Sequence, residues 1–250
     1  NVLRTEQDFH DMTFAYLKRA KEDNVVHVEM FFDPQAHTSR GVPLEAVVEG
    51  LADAAASSER EFGVSSGLIA SILRDKPVLH ANKLLDDLLA MKAPIIGLGL
   101  DSAEAGFPPS LFVDVFAKAR AEGLHVVAHA GEEGPAEYIW EALDLLHVER
   151  IDHGVRCLDD DALVTRLVEE QIPLTVCPLS NVRLRVIDTL ADHPIRGMIE
   201  RGLLVTVNSD DPAYFGGYVE DNFAALVDQV GLTEAESEIL RTNSMKATFI

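Results

Sequence analysis

The tetrapeptide His129-Ala130-Gly131-Glu132 follows directly on the apolar run Leu124-His125-Val126-Val127-Ala128. A buried strand there ends on an imidazole, and a carboxylate follows one tight turn later. Two further apolar runs end in the same way: Arg150-Ile151-Asp152-His153-Gly154, and Leu204-Val205-Thr206-Val207-Asn208-Ser209-Asp210-Asp211-Pro212. Neutral imidazoles and carboxylates are ligands for a divalent cation such as zinc. A cation so held lowers the pKa of water towards neutrality. Three strand ends carrying His or Asp therefore point to metal-centred hydrolysis at one rim of a parallel barrel.

Each residue also has a plainer reading. A lone His129 is more often a half-buried imidazole satisfied by one hydrogen bond; Glu132 and the Asp210-Asp211 pair tip the balance towards a ligand. Adjacent carboxylates repel unless a cation or donor sits between them. One of the pair could bind metal while the other accepts a hydrogen bond from substrate. Asp211 could equally cap a helix before Pro212. Glu132, in a glycine-flanked turn, is placed to shuttle protons, whereas Glu133 reads as a solvated neighbour. His153 is either a third ligand or the group that orients and deprotonates water, and spacing alone leaves both open. His27 and Glu29 alternate on one strand face as a His-x-Glu pair would, but their mid-strand position favours a structural role. His10, His37, His80, His125, His147 and His193 are background.

The elements that must hold these groups alternate along the chain. Apolar runs predict strands at 25–32, 67–73, 95–100, 124–129, 150–153, 173–176 and 204–208, most of them rich in Val, Ile and Leu as strands buried on both faces are. Amphipathic runs predict helices at 6–23, 44–61, 109–122, 135–146, 160–170 and 189–200. Repeated βα units predict an all-parallel sheet. Reactive residues after several different strands favour a (β/α)8 TIM-type barrel over an open doubly wound sheet, because barrel enzymes build their sites at that end. No linker or low-complexity tract interrupts residues 1–250, so one domain is expected. Seven strands leave a barrel of eight one unit short. The first βα unit is therefore expected upstream of Asn1, and both ends of the chain look cut.

Composition narrows the partners. The 250 residues carry 21 Lys+Arg against 42 Asp+Glu, a formal charge of −21. That disfavours nucleic acid and anionic membranes, which attract basic surfaces. No apolar stretch is long enough to span a bilayer, and no cleavable signal is evident. Cys157 and Cys177 form no CxxC pattern, which argues against a disulfide framework and fits a reducing, cytoplasmic setting.

Taken in order, His129-Ala130-Gly131-Glu132, Asp152-His153-Gly154, Cys177-Pro178-Leu179-Ser180-Asn181 and Asn208-Ser209-Asp210-Asp211-Pro212 resemble the adenosine/adenine deaminase family of metal-dependent amidohydrolases. Gly99-Leu100-Asp101-Ser102-Ala103-Glu104 looks like that family's substrate loop. The resemblance implies a (β/α)8 barrel, one divalent ion (zinc by family precedent) and hydrolytic removal of a purine 6-amino group as ammonia. By position it makes His129 and Asp210 metal ligands. It makes Glu132 the proton donor to ring N1 and His153 the group that orients and helps deprotonate the attacking water. Asp211 would accept a hydrogen bond on the N7 side of the base.

Two departures matter. The family's His-x-His pair on its first strand has no counterpart in this sequence, and a chain that truly began at Asn1 would bind metal weakly and turn over little. Asp152 and Ser102 stand where adenosine deaminases usually carry Gly. Both are expected at the substrate, filling ribose space at the N3/N9 edge and favouring free adenine, as in the adenine deaminase branch. The alternatives are an adenosine deaminase, a deaminase of a modified adenine, and a purine-binding relative without catalysis.

Overall fold

The computed structural model describes residues 2–250; Asn1, where the one-domain reading begins, lies outside the described residues. Among the described residues the strands are β1 (His27–Phe32), β2 (Ser65–Leu73), β3 (Gly97–Asp101), β4 (His125–Ala130), β5 (Arg150–His153), β6 (Leu174–Val176) and β7 (Val205–Val207). Each pairs in parallel with the next, in chain order. A doubly wound sheet reverses its strand order at a switch point. No reversal occurs here, and the chain is α/β of the TIM-barrel type. Residue contacts divide it into two compact units: the residues up to Ala103 with Leu111–Val126, and Glu104–Ser110 with Val127–Ile250.

In the first unit, helices Glu6–Glu22 and Leu44–Phe62 pack together. The first starts where the Thr5 hydroxyl accepts the Asp8 N–H while the Asp8 carboxylate accepts the Thr5 N–H, a reciprocal cap. Phe9, Val47 and Leu51 from the helices meet Leu68 of β2. Helix Val78–Ala90, absent from the sequence-based reading, buries Ala81, Leu84, Leu85 and Leu88, a 3–4 spacing on one helical face. His27 Nδ1 lies 2.7 Å from Ser65 Oγ, and Nε2, 3.5 Å from Glu29 Oε1, makes no hydrogen bond. Ser102 also belongs here. It is exposed, holds φ +70°, and donates its hydroxyl to Asp75 at 3.2 Å. A left-handed φ is costly for a residue with a Cβ.

In the second unit the core is aliphatic, built from Ile139, Ile151, Leu163, Leu167, Leu174, Val176, Val205 and Val207. Helix Asp161–Glu170 begins where the Asp160 carboxylate accepts the N–H groups of Ala162 and Leu163. Three predicted helices differ in detail. The one at 135–146 is α-helical over Ala136–Glu141 and then widens to a π turn over Ala142–Leu146. The one at 189–200 is split by His193-Pro194 into a short turn, Leu190–Asp192, and helix Ile195–Glu200, because proline lacks the N–H that would continue the ladder. Helix 109–122 likewise opens as a 3₁₀ turn, Pro109–Phe112, before Val113–Ala121. Both cysteines are buried and free of disulfides. Among the described residues no helix is long and apolar enough to cross a membrane.

Candidate active site

All the groups that follow lie in the second unit. Its pairing register sets the base of the site. His129 stands opposite Asp152, Asp152 opposite Thr175, and Thr175 opposite Thr206. Residues side by side in a parallel sheet point to one face, so this rung places a carboxylate between an imidazole and a hydroxyl. Asp152 Oδ2 lies 3.4 Å from His129 Nδ1, and Oδ1 accepts the Thr175 hydroxyl at 2.8 Å. Burial pushes the Asp152 carboxyl up, but His129, Arg150 and Thr175 more than offset this and hold it below the usual carboxylate range. The structure thus gives Asp152 protein neighbours on its own rung, whereas the sequence pointed to a place at the substrate. Only 2 % exposed, Asp152 sits beside His129 Nδ1, the place of a carboxylate that orients an imidazole.

The turn after β4 is held by one side chain that the sequence reading left inside the substrate loop. Glu104 accepts four consecutive main-chain N–H groups, from Gly131 (2.6 Å), Glu132 (3.0 Å), Glu133 (2.9 Å) and Gly134 (2.8 Å). Glycine is required at both ends of this turn. A Cβ on Gly131, at φ +68°, would lie 2.4 Å from Ile139 Cδ1, and one on Gly134 would lie 2.7 Å from Glu104 Cδ. Glu132 is thus presented by a clamped turn.

His153 and Asp210 end their segments in left-handed backbone, at φ +65° and +55°. Non-glycine residues hold such angles only where their surroundings enforce them, and they gather at functional sites. Here they bring two strand ends together. His153 Nδ1 lies 3.2 Å from Glu132 Oε1 and His153 Nε2 lies 4.0 Å from Asp210 Oδ2. The His129 and His153 rings have centroids 4.8 Å apart. Asn181 donates from Nδ2 to Glu132 Oε1 at 3.1 Å, and Ser180 donates its hydroxyl to Asp210 Oδ2 at 2.6 Å. Both come from helix Pro178–Arg183, whose motif was quoted from sequence without a role for either residue. Asp210 Oδ1 accepts the Asp211 N–H at 2.8 Å. Asp211, exposed, starts helix Pro212–Phe215 through its main-chain carbonyl and makes no side-chain cap.

His153, Cys177 and Asp210 each bring one donor atom to within 4.8 Å of the others. This differs from the sequence-expected pair of His129 and Asp210. Burial holds the Cys177 thiol well above its usual range, and the nearby Asp210, Glu132 and Asp152 push the same way. Binding through this thiol would require it to give up its proton, whereas imidazole and carboxylate offer donors as they stand. That set, with a carboxylate buttressing one imidazole from behind, suits a borderline-hard divalent ion.

A sequence model described as adenosine deaminase matches residues 1–250. The adenine deaminase of Ectopseudomonas mendocina (strain ymp) is 60 % identical over 247 residues, which make up 99 % of this chain and 78 % of that protein. The crystal structure of the adenine deaminase of Arthrobacter aurescens superposes with a TM-score of 0.99 at 61 % identity, covering all (100 %) of this chain and 76 % of the other. An amidohydrolase of Burkholderia ambifaria, solved with bound zinc, superposes with a TM-score of 0.94 at 31 % identity, covering 99 % of this chain and 70 % of its own.

Proposed function

This chain belongs to the adenosine deaminase family, and from that premise we propose that it hydrolyses adenine to hypoxanthine and ammonia with a divalent ion held by His129 and Asp210. One observation carries the reading: Glu132 and His153 meet at 3.2 Å beside Asp210, a proton donor and a proton acceptor at one donor set. The names of the similar proteins point to the free base.

When bound, the ion supplies the charge that makes water acidic enough to attack at neutral pH. The chain's own residues do the rest. Asp152 fixes the His129 ring, and Ser180 fixes the Asp210 carboxylate. Water adds at purine C6 as Glu132 gives a proton to N1 and His153 takes the proton that the water releases. His153 passes that proton to the 6-amino nitrogen, the C6–N6 bond breaks, and ammonia leaves. The remaining hydroxyl proton returns to Glu132 as the C6 carbonyl forms. Protonating N1 relieves the charge that would otherwise build on the ring. Asp211 accepts a hydrogen bond at the N7 side.

The test is ammonia release from adenine and adenosine, with and without a chelator, in a protein spanning the full length of its relatives. The expected result is chelator-sensitive release, with kcat/KM for adenine well above that for adenosine. Preference for the nucleoside would overturn the free-base reading, and silence with every 6-aminopurine would overturn the deaminase reading.

A further inference from the structure

We propose that His193 is a positioning residue that sets the orientation of the Asn181 amide and, through it, which oxygen of Glu132 carries the proton given to the purine; this rests on the deaminase reading above. His193 was background in the sequence. In the structure it is 4 % exposed, and Asn181 is wholly buried. The Ile195 N–H donates to His193 Nδ1 at 3.2 Å. Pro194 has no N–H, so Ile195 offers the first donor of helix Ile195–Glu200, and helix-start donors need partners from outside the helix.

A ring nitrogen that accepts an N–H carries no proton. The neutral ring therefore bears its hydrogen on Nε2, where it can only donate. Nε2 faces Asn181 Oδ1 at 3.4 Å. That contact decides which way the amide points, a choice that is otherwise ambiguous for asparagine. With Oδ1 turned to His193, the NH2 must face Glu132 Oε1, at 3.1 Å, and His153 Nδ1, at 3.5 Å. The flipped amide would set NH2 against the imidazole N–H and its oxygen against a carboxylate, two repulsive contacts. Glu132 Oε1 is thereby committed to accepting from Asn181. When Glu132 is protonated the proton resides on Oε2, the oxygen left to deliver it to N1. Burial keeps the ring neutral, holding the His193 pKa down to about 4.

Two substitutions separate the two ring nitrogens. His193→Asn keeps an acceptor near the position of Nδ1 and loses the donor at Nε2. His193→Gln does the reverse. In metal-loaded protein of equal metal content, His193→Asn is expected to lower kcat for adenine about tenfold with KM nearly unchanged, a fraction of what a general acid contributes. His193→Gln is expected to recover most of that loss. Equal losses in both variants, or losses that track thermal stability, overturn the proposal. Ring ¹⁵N shifts of the wild type give a second readout that needs no turnover. A neutral ring protonated at Nε2 near pH 7 is expected, and a proton on Nδ1 or a charged ring overturns the placement of Asn181. If the wild type turned over no 6-aminopurine, the deaminase reading would fall while the ring tautomer still decided the geometry.

Discussion

The Glu104 carboxylate accepts the main-chain N–H of Glu132 at 3.0 Å, one of four N–H groups of the same turn that converge on it. A single buried carboxylate thus determines where the proposed proton donor stands. Glu104→Gln replaces one oxygen with an NH2 group aimed at donors, leaving buried N–H groups without acceptors. Each such loss costs roughly 1–3 kcal/mol, and a displacement of the donor by about 1 Å costs on the order of a hundredfold in rate. The variant should melt earlier and lose about two decades of kcat, yet keep its metal, since His129 and Asp210 are untouched. Metal analysis beside kcat checks this; a variant with normal turnover would show that the clamp does not position Glu132.

Asp152 makes a different prediction from the one expected of a substrate contact. Placed beside His129, it acts on the ring proposed as a ligand. Removal of such a supporting carboxylate typically lowers metal affinity about 10- to 100-fold. Asp152→Asn should therefore release metal more readily in a chelator competition, with KM for adenine little changed once metal is restored. A raised KM at normal metal affinity would return Asp152 to the substrate.

Glu132 and Asp210 should separate cleanly. Glu132→Gln preserves shape but removes the proton, so kcat should fall by about 10²–10⁴ while metal is retained. Asp210→Ala removes a donor and should lose metal. Metal content and kcat measured together on both variants decide the matter; a Glu132→Gln enzyme of near-normal rate would refute the assignment of the N1 donor.

What could be read from the sequence follows the range of the interactions involved. The seven strands were legible because buried parallel strands are short aliphatic runs, and each run was found to within a few residues. Helix Val78–Ala90 was equally legible in its Ala81, Leu84, Leu85, Leu88 spacing, and helix Glu234–Lys246 in its Thr233–Glu236 cap, but neither sits beside a reactive residue and both were passed over. His129, Glu132, His153 and Asp210 could be picked out because each follows directly on a strand or its turn. Glu104, Asn181 and His193 could not. Their contacts with the site span 27 to 30 residues for Glu104, 49 for Asn181 to Glu132, and 12 for His193 to Asn181, and only register and burial reveal them. The rung contacts of Asp152 were hidden for the same reason, since its neighbours, His129 and Thr175, come from other strands.

The buried ring of His193 also predicts an acid sensitivity. Its pKa is lowered from 6.5 to about 4 by burial. The unfolded chain therefore binds a proton as pH falls below about 6.5, while the folded protein does not until about 4. Stability attributable to this group is present above pH 6.5 and is lost as pH falls towards 4. At about 1.4 kcal/mol per unit the loss approaches ~3 kcal/mol. His193→Gln carries no titrating ring but retains every carboxylate of the wild type, so the difference between the two isolates the histidine. Urea unfolding from about pH 7 down to about pH 4 should show the wild type losing ~3 kcal/mol more than the variant over that window. Parallel pH dependences would mean that the folded ring takes up its proton near the unfolded value of about 6.5, and burial would then not hold the ring neutral as described.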